Sequence, residues 1–342
     1  KVLLCSGILR SIHRYDTWSQ NRKARVMCDT LKVAVAQMAP VWLNKPATLK
    51  KVIEKIGEAA EEDTELIVFG EALVPGYPFW VEHTDGAIFE SDVQKNMYAH
   101  YVKHAVDVEG GDLDAVCKAA KSGNIAVYLG IIERASDRGE SLYCSLVYVD
   151  QKGEIQSVHR KVMPTYEERL VWSIGDGNGL TTHDLGSFKV GGLNCWENWL
   201  PLARASLYAQ GENLHVSVWP GNYRNVHDLI PVIAKESRSY VIAASGLFSA
   251  NEITEDLPHY DLLKEQMKGT MADGGSGIAN PDGSWLVEPV VGKETILYAE
   301  LDLEQVRKER LLLNGTGHYS RPDIFQLEIN QERQHLLKKK NP

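Results

Sequence analysis

Short apolar segments, each too short to be a buried helix, recur along the chain and constrain its fold more than any other feature. Some are separated by amphipathic helices; apolar residues near helical spacing predict one from Pro46 to about Glu62. Others are joined by turns such as 150–153 and 280–283, which predict hairpins. Strands that alternate with helices in some places and pair as hairpins in others favour an α/β layered domain with mixed sheets.

The remaining boundaries follow from the same patterns. Gly123 is expected to end a helix, and the glycine-rich stretch 175–180 is interpreted as a tight loop because no clear strand precedes it. The predicted strands are 31–37, 65–72, 124–133, 142–149, 155–162, 189–195, 213–220, 240–248, 276–279, 284–287 and 295–303, and the other predicted helices are 92–106, 113–121, 196–210 and 228–240.

The domain organisation is predicted from where this periodic pattern begins and ends. Residues 1–26 carry six basic residues and one acidic residue, and the pattern begins only at Leu31. No linker rich in glycine, serine or proline divides the rest of the chain. We therefore expect residues 1–30 to be an extension outside the fold, residues 31–325 to form a single domain, and residues 326–342 to be a polar, basic tail.

Charge and composition exclude several classes of function. The net charge of −9 does not provide the basic surface of a nucleic-acid-binding protein, and no run of eighteen apolar residues predicts a membrane helix. The five cysteines form no C-x-x-C pair, which argues against a disulfide framework or a zinc knuckle and favours a reducing, cytoplasmic compartment. The sequence contains no P-loop, no G-x-S-x-G and no H-E-x-x-H motif.

Cys195 is the cysteine whose position favours reactivity. It lies where a predicted strand ends and a predicted helix begins, and the N-terminus of a helix lowers the pKa of a thiol. Gly191 and Gly192 precede it and allow close approach of neighbouring backbone. The other four cysteines are interpreted as structural residues: Cys5, Cys28, Cys117 and Cys144.

Two further ionisable residues lie at the ends of apolar strands. Glu71 ends the segment ELIVFGE, and Lys161 ends IQSVHRK. A charge at such a position is costly unless it has a partner or a task. Together with Cys195 they offer the members of an acid–base–nucleophile set at three strand ends, which is where α/β folds often place an active site.

Three segments around these residues closely resemble the nitrilase superfamily of carbon–nitrogen hydrolases. They are FGEALVPGYPFW (69–80), HRKVMPTYEERLVWSIGDG (159–177) and GLNCWENWLPLARASLYAQG (192–211). LKVAVAQMAP (31–40) and GHYSRPDIF (317–325) resemble the opening strand and the C-terminal segment of that family, so the resemblance covers about 31–325. It implies an α/β fold that is a four-layer α–β–β–α sandwich with two mixed sheets, no metal or organic cofactor, and homodimers or larger spiral oligomers.

The resemblance also implies roles for individual residues. Glu71 is expected to be the general base, Lys161 the cationic stabiliser and Cys195 the nucleophile. Glu168 matches a second glutamate that positions the lysine and the substrate. Glu167 is the competing assignment, but the E-R pair formed with the following arginine favours Glu168.

The branch of the family is a finer question. C-W-E at 195–197 and P-T-x-x-E-R at 164–169 resemble true nitrilases, which convert a nitrile to the carboxylic acid and ammonia through a thioimidate and a thioester. Gly70 stands where this family commonly has proline, which is expected to loosen the backbone of Glu71. Asn198 stands where many nitrilases have histidine, which leaves the substrate class open. The alternatives are a cyanide-hydrolysing or amidase relative and a catalytically inactive binding or scaffold protein.

The substrate is expected to be a small nitrile, bound by aromatic residues near the three segments. Glu197 is expected either to support the Cys195 loop or to be a carboxylate favoured by a helix N-terminus. The aromatic candidates for the substrate pocket are Tyr77, Trp172, Trp196 and Trp219, and each is equally explained by packing.

Overall fold

The computed structural model describes residues 29–337 and consists of two facing β-sheets covered by helices. The predicted N-terminal extension lies outside the described residues except for its last two, and Thr30 begins the first strand. Within the described part of the chain, no helix combines the length and the hydropathy needed to cross a membrane.

The first sheet contains six strands in the order β13-β1-β2-β3-β4-β5. The central strands β1, β2 and β3 are parallel, and every other neighbour is antiparallel. The strands are β1 (Thr30–Gln37), β2 (Leu66–Phe69), β3 (Ala126–Arg134), β4 (Leu142–Val149), β5 (Ile155–Arg160) and β13 (Thr295–Asp302).

The second sheet repeats this plan in the order β10-β11-β9-β8-β7-β6, with β12 paired to β11. Here β7, β8 and β9 are parallel and the outer strands are antiparallel. The strands are β6 (His183–Leu185), β7 (Phe188–Asn194), β8 (Leu214–Trp219), β9 (Tyr240–Ser245), β10 (Leu247–Ser249), β11 (Thr270–Ala279) and β12 (Trp285–Val291).

The residues at its N-terminus explain where the first helix begins. The side chain of Asn44 accepts a hydrogen bond from the Ala47 amide, and a proline lies in the first turn. The helices are α1 (Lys45–Glu61), α2 (Trp80–His83), α3 (Asp92–His104), α4 (Asp114–Gly123), α5 (Pro201–Tyr208), α6 (Tyr223–Val226), α7 (Leu229–Ser237), α8 (Tyr260–Gln266) and α9 (Leu303–Glu309), with 3-10 turns at Tyr166–Leu170, Cys195–Trp199 and Ala250–Glu252.

The two sheets and their helices form four layers, which confirms the predicted α–β–β–α sandwich. Along β1, Leu31, Val33 and Val35 lie in the core between the sheets, whereas Ala34 and Ala36 lie in the outer core with α1 and α4. Helices α5 and α7 cover the outer face of the second sheet in the same way. Alternation along a strand thus assigns successive side chains to two different cores.

The helix predicted over 196–210 is wrong at its start. A 3-10 turn occupies Cys195–Trp199, Leu200 is extended, and α5 begins only at Pro201. Proline restricts the residue before it to extended backbone, so a continuous helix cannot run from the cysteine through this position. Gly123 is the last helical residue of α4, and Asn124 adopts the left-handed conformation that ends it.

The C-terminal segment from 330 to 335 lies against the loop at 175–180. Gln331 donates to the carbonyl of Leu180 at 2.7 Å, and Arg333 forms an ion pair of 3.0 Å with Asp176. This part of the predicted tail therefore contacts the domain.

Gly130 in β3 passes so close to the segment that carries Glu71 that only glycine fits. A Cβ at this position would lie 2.7 Å from the Glu71 Cα and would also meet the carbonyl of Gly70. We expect Gly130→Ala to lower the unfolding midpoint by several degrees, because backbone must move and overpacking costs about 1–3 kcal/mol. Thermal unfolding measures the change.

Gly57 provides the control, because a Cβ there meets nothing within 4 Å on helix α1. Gly57→Ala should raise the midpoint slightly, since alanine is favoured over glycine in a helix by roughly 0.5–1 kcal/mol. Equal midpoints for both variants would contradict the contact described for Gly130.

Candidate active site

Three strand ends from the two sheets meet at one side of the sandwich. Glu71 follows β2 of the first sheet by two residues, and Lys161 directly follows β5 of the same sheet. Cys195 directly follows β7 of the second sheet. Because the sheets face each other, residues separated by more than 100 positions come together at their common edge.

The four predicted site residues form one buried cluster. Lys161 Nζ lies 2.8 Å from Glu71 Oε1 and 2.7 Å from Glu168 Oε2. Cys195 Sγ and one carboxylate oxygen from each glutamate all lie within 4.8 Å of one another. None of the four residues is more than 3% exposed. The structure therefore places a thiol, an ammonium and two carboxylates in a site closed to bulk water.

Glu168 is held in place by three donors. Its carboxylate accepts hydrogen bonds from Lys161 Nζ, from the Thr165 amide at 2.6 Å and from the Tyr77 hydroxyl at 2.9 Å. Glu167 instead contacts only the outer side of this arrangement, with Oε1 3.3 Å from the same tyrosine hydroxyl. Of the two adjacent glutamates, Glu168 is the one bonded to the lysine.

The carboxyl group of Glu71 has the properties of a base that works near neutral pH. Burial raises its pKa to about 7; the charge of Glu168 adds to the rise, and the ammonium of Lys161 opposes it. One oxygen, Oε1, accepts from Lys161, whereas Oε2 is buried without a hydrogen-bond partner among residues 29–337. A buried acceptor with no partner is free to receive a proton from a reacting group.

The expectation that a helix N-terminus lowers the pKa of Cys195 is wrong. Burial raises the pKa of this thiol well above its usual value, and the charges of Glu71 and Glu168 add to the rise. Lys161 and the Trp196 amide act in the opposite direction but do not outweigh them. The short 3-10 turn does not supply the dipole of a long helix, so neighbouring charges decide.

The ionisable groups of the cluster affect one another's pKa values. Fully ionised, the site would hold three negative groups and one cation. Burial lowers the pKa of Lys161, but Glu71, Cys195 and Glu168 together raise it well above its usual value, so the lysine stays charged. Glu71 and Cys195 both have raised pKa values in this cluster, so the ionisation of one affects the ionisation of the other.

Cys195 has strained backbone that its neighbours stabilise. Its φ of +46° lies in the left-handed region, which is unfavourable for a residue with a Cβ by about 1–2 kcal/mol. The buried side chain of Asn198 donates to the Cys195 carbonyl at 2.8 Å and pairs through Oδ1 with His215 at 2.8 Å. Asn198 thus supports the turn that carries Cys195 from inside the protein.

Glu197 connects the loop that carries Cys195 to the loop that follows Lys161. Its carboxylate accepts from the Asn194 amide at 2.8 Å and from the Val162 amide at 2.6 Å, and it pairs with His159 at 3.0 Å. Of the two interpretations of Glu197, support of the loop is the one that these contacts favour. It fixes the distance between the first and second sheets beside the cluster.

The four aromatic candidates occupy different places. Tyr77 contacts Glu168, and its ring packs edge-on against Trp172, whose ring lies 5.5 Å from Lys161 Nζ. Trp196 is 50% exposed beside the cysteine. Trp219 is fully buried in the outer core of the second sheet, and its backbone carbonyl accepts from the Glu71 amide. Tyr77 and Trp172 thus lie beside Glu168 and Lys161, and Trp219 belongs to the same buried hydrophobic cluster as Cys195.

Cys144, which the sequence analysis treats as structural, contacts the cluster directly. Its Sγ donates to Glu71 Oε1 at 3.4 Å, and its carbonyl accepts from the Lys161 amide at 2.8 Å. The pairing of β4 with β5 puts Cys144 opposite the lysine, so the predicted hairpin was the signal that could have revealed it.

A cavity of about 590 Å³ is lined in part by Glu167, which accepts a hydrogen bond from the hydroxyl of Tyr77; the same hydroxyl donates to Glu168 of the cluster. Its walls are apolar over most of their area and carry three acidic side chains but no basic one. The lining residues are Val81, Glu82, Asp85, Gly86, Ala87, Ile88, Tyr166, Glu167 and Leu170.

The cluster also contains a possible set of metal ligands. Glu71, Glu168 and Cys195 present one oxygen or sulfur atom each at a spacing that a metal ion could bridge. Both carboxylates, however, already bond to Lys161 Nζ, which occupies the position between them as the counter-charge. The donor set therefore fits an ammonium better than a metal ion.

Comparison with known proteins identifies the family of the chain. The carbon–nitrogen hydrolase family model matches residues 32–310. The chain belongs to the carbon–nitrogen hydrolase family. It is therefore a hydrolase that acts on carbon–nitrogen bonds.

Individual relatives match almost the full length. An aliphatic nitrilase from Rhodococcus rhodochrous is 36% identical over 88% of this chain and 79% of its own length. A nitrilase 2 from an unknown prokaryotic organism is 33% identical over 87% of this chain and 92% of its own. Among solved structures, an amidase from Nesterenkonia sp. AN1 has a TM-score of 0.61 at 17% identity, covering 83% of this chain and 98% of that one, and shares the fold.

The pKa of Glu71 predicts how the reactivity of Cys195 depends on pH. We expect alkylation by iodoacetamide to become faster as pH rises through about 7, because Glu71 then ionises and becomes able to accept the proton of the thiol. Mass spectrometry of the Cys195 peptide measures this rate. The half-exposed Cys117 serves as an internal standard in the same digest.

The variant Glu71→Gln should lack this inflection and react at least about tenfold more slowly at pH 8, since no base accepts the proton. An inflection near pH 7 that persists in the variant would assign the proton to another group.

Proposed function

We propose that this protein is a nitrilase, which hydrolyses an organic nitrile to the carboxylic acid and ammonia. The observation that carries the proposal is the buried cluster in which Cys195 Sγ lies within 4.8 Å of carboxylate oxygens of Glu71 and Glu168, both of which pair with Lys161. Relatives named as nitrilases match nearly the whole chain at about one-third identity. A nitrile carbon is a weak electrophile, so a thiolate is a suitable nucleophile for it.

In the first step, Glu71 takes the proton of the Cys195 thiol as sulfur attacks the nitrile carbon. A carbon–sulfur bond forms, one bond of the nitrile breaks, and the proton passes from Glu71 to the nitrogen. The product is a thioimidate on Cys195. The free oxygen of Glu71 and its pKa of about 7 support this role, because such a group both accepts and returns a proton near neutral pH.

In the second step, Glu71 takes a proton from water, whose oxygen adds to the thioimidate carbon. The ammonium of Lys161 and the Trp196 amide stabilise the charge of the tetrahedral intermediate. One such donor is typically worth about 3–4 kcal/mol of the barrier. Glu71 returns the proton taken from water to the nitrogen, the hydroxyl proton follows as the carbonyl forms, and ammonia leaves to give a thioester. A second water molecule then breaks the carbon–sulfur bond, which releases the acid and restores the thiol. If the intermediate expels the thiol instead, the product is the amide.

The cavity beside Tyr77 supports an organic nitrile over cyanide as the substrate. Its volume of about 590 Å³ is within the range of sites for small organic ligands and far exceeds what cyanide needs. Its lining residue Glu167 accepts a hydrogen bond from the hydroxyl of Tyr77, which also donates to Glu168 of the cluster, and we propose that the organic group of the nitrile is bound on this side.

A second copy of the chain is the partner we propose for the exposed apolar surface beside the active site. Trp199, Leu200 and Leu202 are each at least 41% exposed, although all three are large and apolar. A contiguous apolar surface of this kind is typical of a protein interface. We therefore propose a homodimer or a larger oligomer.

A substrate panel tests the proposed activity. The enzyme should release ammonia and the acid from alkyl and aryl nitriles, and Cys195→Ala should lower kcat by at least about a thousandfold, because the nucleophile is lost. Product analysis by chromatography measures both products. Cys117→Ala, which removes a thiol away from the site, is the matched control and should keep activity.

Cyanide and the matching amide belong in the same panel. Faster turnover of cyanide or of the amide than of every nitrile would replace the proposed activity with one of these. No turnover of any of the three, together with no covalent adduct on Cys195, would favour an inactive binding protein.

The acidic wall of the cavity predicts discrimination by substrate charge. Glu82, Asp85 and Glu167 should repel an anionic group, so the ω-carboxylate analogue of hexanenitrile should have a kcat/KM roughly three- to tenfold below that of hexanenitrile itself. High salt should bring the kcat/KM values of the two substrates closer together, because the acids are partly exposed and salt screens their charge.

In the double variant Glu82→Gln/Asp85→Asn, the ratio of kcat/KM for the ω-carboxylate analogue to kcat/KM for hexanenitrile should move toward one. Glu54→Gln/Glu61→Gln, which removes two exposed charges from α1, should leave it as in the natural protein. A ratio that both double variants change equally would mean that net charge, and not the cavity, is responsible.

A further inference from the structure

Cys144 is the one residue outside the predicted set that bonds to two members of the catalytic cluster among the residues described. Its carbonyl accepts from the Lys161 amide at 2.8 Å, because β4 and β5 pair at this point. Its thiol donates to Glu71 Oε1 at 3.4 Å, within the range for a hydrogen bond from sulfur. It therefore contacts the residue proposed as the base and the residue proposed as the cation.

The thiol of Cys144 can act only as a donor in this contact. The residue is 1% exposed, and burial together with the carboxylate of Glu71 raises the pKa of the thiol well above its usual value. The sulfur thus keeps its hydrogen, and the ionised carboxylate beside it is the acceptor. A thiolate at this position would instead repel Glu71.

This contact makes the two oxygens of Glu71 unequal. Oε1 accepts from both Lys161 Nζ and Cys144 Sγ, whereas Oε2 is buried and has no partner among the described residues. With two donors on one oxygen, rotation of the carboxylate would break both contacts. The oxygen that remains free is the one available to the reacting groups.

We propose that Cys144 is a positioning residue for nitrile hydrolysis: its S–H group holds Oε1 of Glu71 so that Oε2 is the oxygen that takes protons from Cys195 and from water. The inference rests on the proposed function, since it concerns the same base. It extends that function by assigning a task to a second thiol.

Packing is the competing explanation. Cys144 also lies in an apolar cluster with Leu142, Ile132 and Trp172, where a small buried side chain fills space. A residue that only fills space affects stability through its volume. A donor to Glu71 affects the pH at which the base ionises, whatever its volume, and this difference separates the two explanations.

The test compares Cys144→Ala with Cys144→Ser in the full-length protein. Alanine removes the donor, so the pKa of Glu71 should rise; kcat should fall roughly three- to tenfold with little change in KM, and the acid limb of kcat/KM should move to higher pH. Serine restores a donor that is stronger than a thiol. Its acid limb should lie at or below that of the natural protein, and its kcat should exceed that of the alanine variant.

Two further variants complete the design. Cys117→Ala controls for the loss of a thiol as such and should leave the pH profile unchanged. Cys144→Val restores side-chain volume without a donor and should resemble alanine in its pH profile; it takes the place of the alanine variant if that protein does not fold. Thermal unfolding of each variant reports stability separately.

The proposal would be overturned if the acid limb of kcat/KM lay at the same pH in Cys144→Ala, in Cys144→Val and in the natural protein. Full kcat in the valine variant would overturn it as well. The alkylation rate of Cys195 as a function of pH is measured in the same variants and requires no substrate. A shift of that profile without any nitrile turnover would support the position of Cys144 while contradicting the nitrilase activity. Nitrile turnover with no shift in either profile would contradict the inference alone.

Discussion

The contact on which the rest of the structure depends is the bridge that Lys161 forms between Glu71 and Glu168. One ammonium lies within 2.8 Å of two carboxylates, and none of the three is in contact with bulk water. Removing such charges from water costs several kcal/mol per ion, which only close pairing and further hydrogen bonds offset. Because two carboxylates and a thiol outnumber the single cation, a proton stays in the site, and its position decides whether the nucleophile is active.

The fold holds this arrangement with interactions that cross from one sheet to the other. Glu197 accepts backbone hydrogen bonds from both loops, and Asn198 supports the left-handed backbone of the cysteine. Gly130 lets β3 approach the backbone of Glu71 more closely than any other residue allows. The strained backbone and the buried charges of the site destabilise the folded protein. The well-packed cores of the two sheets offset this loss of stability.

Dry surroundings explain why so few groups suffice for the proposed reaction. In a low-dielectric site, a fixed ammonium stabilises a developing negative charge far more than it would in water. The same desolvation raises the pKa of Glu71 to about 7, which allows one carboxyl group to serve both the thiol and the water.

Hydrophobic periodicity in the sequence predicts the strands and thus the layered class, and the charged or nucleophilic residues at three apolar strand ends indicate Glu71, Lys161 and Cys195. The pairs that decide the chemistry could not be predicted in this way. The contact of Cys144 with Glu71 and the raised pKa of the Cys195 thiol depend on residues far apart in the chain. Local sequence determines which residues begin or end an element, whereas electrostatic interaction depends on distance through space, and only the packing of the two sheets sets that distance.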